Sequence, residues 1–319
     1  MTSSVLCGII SLVFILLTEA KMNYLFLVLI VIFIIVQDIA KKQYNLKIEK
    51  SNGFIFSAIV ALFAMLFFIA SSGFKLNFTP EIIPYSLSFA ATYGTALISV
   101  FLAIKWGPLA LTLLVTSYSL IIPAFYGMIV LGDPLNTTKI IGLALLAASL
   151  LLISTVLERK KGDRSNEKKF SVKWMVALIL GFIGNGMCSV VQKMQAVAFY
   201  DEASNTSLYK NEFMIIALAG AFIVLVICAL INKEDIRVGT VPCIGLAALT
   251  GISNGIVNLL VMVLSAPGKI DASILFPSIS GGGIVLGFLL AIFVYKERLS
   301  RLQYVGYAIG TASVVLLNL

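Results

Sequence analysis

The sequence predicts an all-α integral membrane protein: ten transmembrane helices arranged as two inverted five-helix repeats. Three observations carry that prediction. Hydrophobic residues make up 60% of the 319 and charged residues only 12%, about half of the roughly 25% charged share found in soluble chains. Mean hydropathy is accordingly high, at +1.05. The apolar residues fall into ten runs, each near the length of about 20 residues that crosses a hydrocarbon core. Finally, the longest charged connection, Glu158 to Lys173, sits at the midpoint with five runs on either side. An odd number of spans per half inserts the second half upside down relative to the first.

Residues 1–22 stand apart as an N-terminal hydrophobic extension. Val5–Leu17 has the length of a signal-peptide core, but the preceding MTSS carries no Lys or Arg, so it fits that pattern poorly. It is also short for a span, and Met22 opens a segment that reads as the start of a membrane protein. The first repeat, 23–157, holds runs at 23–40, 53–72, 83–104, 107–131 and 137–157. A basic linker follows over 158–172. The second repeat, 173–319, holds runs at 173–194, 212–232, 240–265, 271–295 and 302–319. Turn-forming clusters such as Gly132-Asp133-Pro134 and Ala266-Pro267-Gly268-Lys269 mark the breaks.

The net charge of +8 does not point to nucleic acid, because the basic residues lie in short loops and not on a face interleaved with aromatics. Of the 23 Lys and Arg, 17 fall in the loops after the first, third, fifth, seventh and ninth runs. The positive-inside rule places those loops in the cytoplasm, with residue 23 and Leu319 on the far side. Three N-x-[ST] triplets, at Asn77, Asn136 and Asn205, all fall in the opposite loops. They would be glycan acceptors only in a eukaryotic chain, and neutral polar loops collect Asn and Thr in any case.

The chain has no histidine, which removes the usual zinc, haem and neutral-pH acid–base chemistries. Its four cysteines, Cys7, Cys188, Cys228 and Cys243, show no paired metal spacing and lie in or beside apolar runs. They read as packing residues. No cofactor and no metal are expected.

The two halves resemble each other. Asp133, Leu135 and Gly142 correspond to Glu297, Leu299 and Gly306 at a constant offset of 164. At an offset of 159, Pro108 matches Pro267, while Thr95 and Ser99 match Asn254 and Asn258. Two offsets imply loop-length differences, as in an old duplication. Inverted repeats of this kind build secondary transporters, with the site near the midplane where the repeats meet.

The segment Lys296-Glu297-Arg298-Leu299-Ser300, continued by Gln303 and Gly306, resembles the signature that closes an EamA-type repeat of the drug/metabolite transporter superfamily. Asn185-Gly186 followed by Lys193 is similar to the repeat's opening, normally Trp-Gly with a Lys seven residues after the Gly. The first half keeps Lys42 but has Ile34-Ile35 in place of Trp-Gly, and its closing turn reads Gly132-Asp133-Pro134. The resemblance covers residues 23–319 and implies a ten-helix carrier of two EamA-like units. It leaves the substrate open, since the superfamily handles amino acids, sugars, nucleotide sugars, drugs and other metabolites. Members commonly keep both termini in the cytoplasm, the reverse of what the basic residues indicate here.

Polar residues inside apolar runs are the candidates for the site. Asn254 and Asn258 are four apart and share a helix face, as do Thr95 and Ser99. An amide offers both a donor and an acceptor to a polar metabolite, and interhelical bonding is the competing explanation. Asn185, Gln192, Ser278 and Ser280 join the set because the resemblance implies that the first and fourth helices of each half line the path. Asp38, with Lys41 and Lys42 at i+3 and i+4, is either a coupling carboxylate or an interfacial ion pair with Lys42, and its place near a loop favours the pair. Lys193, near a span end, is expected to snorkel to the surface. Ser280-Gly281-Gly282-Gly283 follows Pro277 and reads as a site of close helix packing, since no GK[ST] follows it. Asp133 and Glu297 are expected to cap the helices that follow them.

The expectation is therefore a secondary transporter of a small polar metabolite, in a multi-pass cell-membrane protein that works by alternating access. No ATP-binding motif is present, so the energy would come from an ion gradient or exchange. A membrane-embedded enzyme or a flippase-like lipid-handling protein is the alternative, disfavoured by the lack of histidine and of paired intramembrane carboxylates. The partners expected are the metabolite and the lipid bilayer, with no nucleic acid; a homodimer stays open.

Overall fold

A computed structural model describes residues 22–37, 39–41, 43–44, 53–106, 119–134, 136–159, 172–234, 241–293 and 301–317. Within these residues the chain forms helices α1 (Met22–Lys41), α2 (Gly53–Ser71), α3 (Ile83–Trp106), α4 (Ile121–Val130), α5 (Thr137–Arg159), α6 (Val172–Ala198), α7 (Lys210–Ile231), α8 (Val241–Leu264), α9 (Ala272–Phe293) and α10 (Arg301–Leu317). A 3-10 turn at Pro80–Ile82 precedes α3, and two short strands, β1 (Tyr200–Asp201) and β2 (Thr206–Ser207), pair antiparallel between α6 and α7. Five helical segments among the described residues are long and apolar enough to span a bilayer: α1, α2, α6, α7 and Cys243–Leu264 within α8. The chain is an all-α, multi-pass membrane protein. Residues 1–21, Asp38, Lys42, Pro108, Leu135, residues 160–171 of the linker, and the Lys296–Ser300 signature lie outside the described residues.

Helix ends are closed by a mixture of distant side chains, local caps and backbone bonds. Glu234, just after α7, accepts from the backbone N–H of Phe54 (3.1 Å) and Ile55 (2.8 Å), closing the N-terminus of α2. Asn136 accepts from the Lys139 N–H at 2.9 Å and caps α5. At the end of α4, Gly132 takes φ +74°, a left-handed conformation that glycine adopts without strain. This lets Asp133 N–H reach back to the Gly127 carbonyl at 3.0 Å, closing the last turn of α4. The strand pair hangs from α6 through Ser207 Oγ donating to the Ala196 carbonyl (2.6 Å) and Gln195 Nε2 donating to that of Leu208 (2.8 Å). At its tip Asp201 accepts from the Ser204 hydroxyl and from the N–H groups of Ala203 and Ser204. The hydroxyl bond first, with those amides, holds the Asp201 carboxyl below its ordinary range.

In a bilayer, helices associate through close packing more than through apolar burial, so small residues mark the crossings. At Gly184 of α6 an added Cβ would lie 2.9 Å from Ala96 N of α3, and at Gly251 of α8 it would lie 2.6 Å from the Val60 carbonyl of α2. Large side chains then fill the space around these crossings. Phe68, Phe89, Phe213, Met214, Leu218 and Met262 form one buried cluster joining α2, α3, α7 and α8. Ile30 of α1 meets Val261 and Leu264 of α8 and Leu275 and Phe276 of α9 in a second. Gly282 fits the expected close packing, since a Cβ there would sit 2.7 Å from Val31 of α1, whereas Gly283 has open space. The described cysteines are free thiols, with Cys188 and Cys243 buried.

Candidate functional site

Four side-chain amides join three helices through a chain of hydrogen bonds that all run the same way. Gln192 of α6 donates from Nε2 to Asn258 Oδ1 at 2.7 Å. Asn258 Nδ2 donates to Asn254 Oδ1 at 3.0 Å and to the Asn254 carbonyl at 2.8 Å, as the i, i+4 spacing on α8 allows. Asn254 Nδ2 points on to Gln37 Oε1 of α1 at 3.3 Å. A parallel contact lies nearby on α6, where Asn185 Nδ2 donates to Ser119 Oγ, just ahead of α4, at 2.6 Å.

The local sequence explains why these groups face inward. On α6, Asn185 and Gln192 are seven apart, two helical turns, so they fall on one face. Glycines on α6 and α8 let α3 and α2 approach closely, which leaves the adjacent faces of those helices to the amides. Gln37 and Gln192 are both buried, at 5% and 4% exposure. Burying an amide is costly unless it is hydrogen-bonded, and the chain leaves two groups over. Among the described residues, Gln37 Nε2 donates no hydrogen bond and Gln192 Oε1 accepts none. The arrangement therefore ends in a spare donor at Gln37 and a spare acceptor at Gln192.

Not every expected residue takes part. Thr95 is exposed on the surface of α3, and Ser99 is buried with its Cβ against Gly181 of α6. No described hydrogen bond joins either to Asn254 or Asn258, although the four match at one offset. Ser278 is buried within α9 and Ser280 is half-buried there. Asp38 and Lys42 lie outside the described residues. Gln37 and Ser119 are additions: the first was overshadowed by the neighbouring Asp38, and the second carries no periodic signal.

The charged residues near this site correct two expectations. Lys193 does not snorkel to the surface; it is only 5% exposed, with no hydrogen bond among the described residues, and it feels the charges of Asp133 and Asp271. The reason is crowding, because the last turns of α6 are closed over by the strand pair and by neighbouring helices. Nor does Asp133 cap the helix that follows it. Asn136 does that, while Asp133 Oδ2 accepts from the Ser273 N–H of α9 at 2.9 Å. The positive end of the α9 dipole favours a carboxylate there. Lys139 completes the group, 3.4 Å from Asp271 Oδ2 and 3.0 Å from the Pro134 carbonyl.

No family model matches the chain, and no curated protein matches it. A solved structure described as "Crystal structure of protein" superposes with a TM-score of 0.70 at 14% identity, covering 94% of this chain and 96% of that one. At that identity the likeness speaks to fold alone: the helical arrangement occurs, at nearly full length, in a protein of known structure.

Proposed function

We propose that this chain is a secondary transporter of a small polar metabolite, built as two inverted five-helix halves and similar to EamA-type carriers of the drug/metabolite superfamily. The observation that carries the reading is the amide chain itself. It links Gln37 of the first half to Asn254, Asn258 and Gln192 of the second, and Asn185 of the second half reaches Ser119 of the first. Polar groups are thus concentrated within apolar helices, where the two halves meet. Intramembrane polar groups of this kind mark substrate paths by default.

The packing supports the inverted repeat. Exchanging each helix with the one five later turns the α2–α8 contact into α7–α3, and both are present. The α3–α6 contact becomes α8–α1, supplied by Val261 and Leu264 against Ile30, and α4–α6 becomes α9–α1, supplied by Gly282 against Val31. The pairs α2–α7, α4–α9 and α5–α10 map onto themselves. In this reading the basic loops face the cytoplasm and the two amide ends hold the substrate between the halves.

Thermal unfolding of the purified protein against panels of amino acids, sugars, nucleosides and amines tests ligand binding. At a hundredfold excess over its dissociation constant, a bound ligand stabilises a folded protein by about 2.7 kcal/mol. The expected result is one class that raises the melting temperature of the native chain and raises it less in Asn258→Ala. Equal shifts in both proteins would dissociate binding from the amide chain.

A further inference from the structure

The ionic group at the junction of α4, α5 and α9, in which Lys139 is buried and Asp133 and Asp271 are half-buried, lies outside the amide chain, and its connectivity points elsewhere. Lys139 and Asp133 belong to the first half, Asp271 and Ser273 to the second. Lys139 Nζ lies 3.4 Å from Asp271 Oδ2 and 3.5 Å from Ser273 Oγ, while Asp133 Oδ2 takes the Ser273 N–H at 2.9 Å. Lys139 is 5% exposed. The backbones beneath are in contact: a Cβ on Gly127 would strike Asp133 Oδ2 and lie 2.7 Å from Ala272 Cβ. In the ten-span reading, the starts of α5 and α9 and the end of α6 share one face of the membrane, the face opposite the start of α6.

We propose that the Asp133–Lys139–Asp271–Ser273 group is a latch that holds the two halves together at this one mouth of the path, and that it must part for the mouth to open. The proposal rests on the alternating-access reading above. The contrast with α2 and α7 supports it. Those helices are tied at both ends, by Glu234 on the N–H groups of Phe54 and Ile55 at one and by Ser71 Oγ donating to Asn211 Oδ1 (3.2 Å) at the other. A joint bound at both ends serves as the fixed seam. Between α4 and α9 the described tie is Asp133 on the Ser273 N–H, beside the Lys139–Asp271 pair. Lys193, buried where the charges of Asp133 and Asp271 reach it, balances the second carboxylate and adds to the field that holds the group together.

The test reads access and needs no known substrate. Ser119, fully buried at the start of α4, the end of that helix away from the latch, is replaced by cysteine in a chain whose four native cysteines are changed to alanine. A membrane-impermeant, positively charged methanethiosulfonate is then applied to vesicles of either orientation. Lys139→Met and Asp271→Asn should each speed labelling from the latch face about tenfold, the change expected for about 1.4 kcal/mol of lost closure. The charge-swapped pair K139D/D271K should restore slow labelling. Asp271 is 43% exposed, so Asp271→Asn tolerates the loss and carries the test if Lys139→Met does not fold. Rates within about twofold of the parent, or a rise equal from both faces, overturn the latch. Absence of solute flux in a separate uptake assay counts against the transport reading and leaves the labelling result to stand alone.

Discussion

Gln192 and Asn258 meet side chain to side chain at 2.7 Å across the α6–α8 contact, and Asn258 passes the bond on to Asn254. Asn258 is therefore the middle of the chain, acceptor to one amide and donor to another. Replacing it with alanine strands Gln192 Nε2 and disconnects Asn254. If the amides grip the ligand, the loss of one bond costs roughly 1–3 kcal/mol, an affinity drop of about five- to 150-fold. Asn258→Ala should weaken ligand affinity by that factor while the protein remains monodisperse and helical. Lower melting temperature with unaltered affinity would reduce the asparagines to interhelical fasteners.

Gly127 sits where α4 runs into α9, with Ala272 Cβ 2.7 Å from the position a methyl would take. Overpacking of this kind costs typically about 1–3 kcal/mol. Gly127→Ala should accordingly lower the melting temperature, and Ala272→Gly in the same chain should recover part of the loss by vacating the space. A melting temperature unchanged in Gly127→Ala would show that the two helices move apart freely.

Glu234 holds the start of α2 from nearly 180 residues away in sequence. Removing a cap costs about 0.5–2 kcal/mol. Glu234→Ala should destabilise the protein within that range, and Glu234→Gln, which keeps an acceptor, should destabilise it less. The same change at Glu202, exposed at the tip of the strand pair, should have no measurable effect on unfolding.

The membrane class was legible because hydropathy is a sum over many residues, and no single position decides it. The Asn254–Asn258 contact was legible for a different reason: helical period alone brings i and i+4 together. What one sequence does not state is which helices touch. A single sequence therefore gives Gln37 little weight beside Asp38, and it points Asp133 to the helix next to it. Its actual partner, Ser273, is 140 residues away in the other half. Lys193 was misread for a related reason. Snorkelling is the default near a span end, and only the packing of the strand pair and the Asp133–Asp271 charges shows why this lysine stays inside.

The proposed orientation rests on the basic loops, which hold 17 of the 23 Lys and Arg in the odd-numbered set. A reporter that is active only in the cytoplasm should remain inactive when fused after Leu319 and become active when placed in the 158–172 linker. The opposite pattern would invert the assignment and place the Asp133–Asp271 latch on the cytoplasmic face.

The central claim is that the chain moves a polar solute through the site between its halves. Its most direct test is uptake into proteoliposomes of purified protein, using radiolabelled amino acids, sugars, nucleosides and amines with an imposed proton or sodium gradient and, separately, with unlabelled solute preloaded for exchange. The account predicts saturable uptake of at least one class, carried by the native chain and reduced in Asn258→Ala in line with its loss of affinity. Folded, correctly inserted protein that moves none of these solutes, while scrambling labelled lipid or converting a substrate chemically, would contradict it.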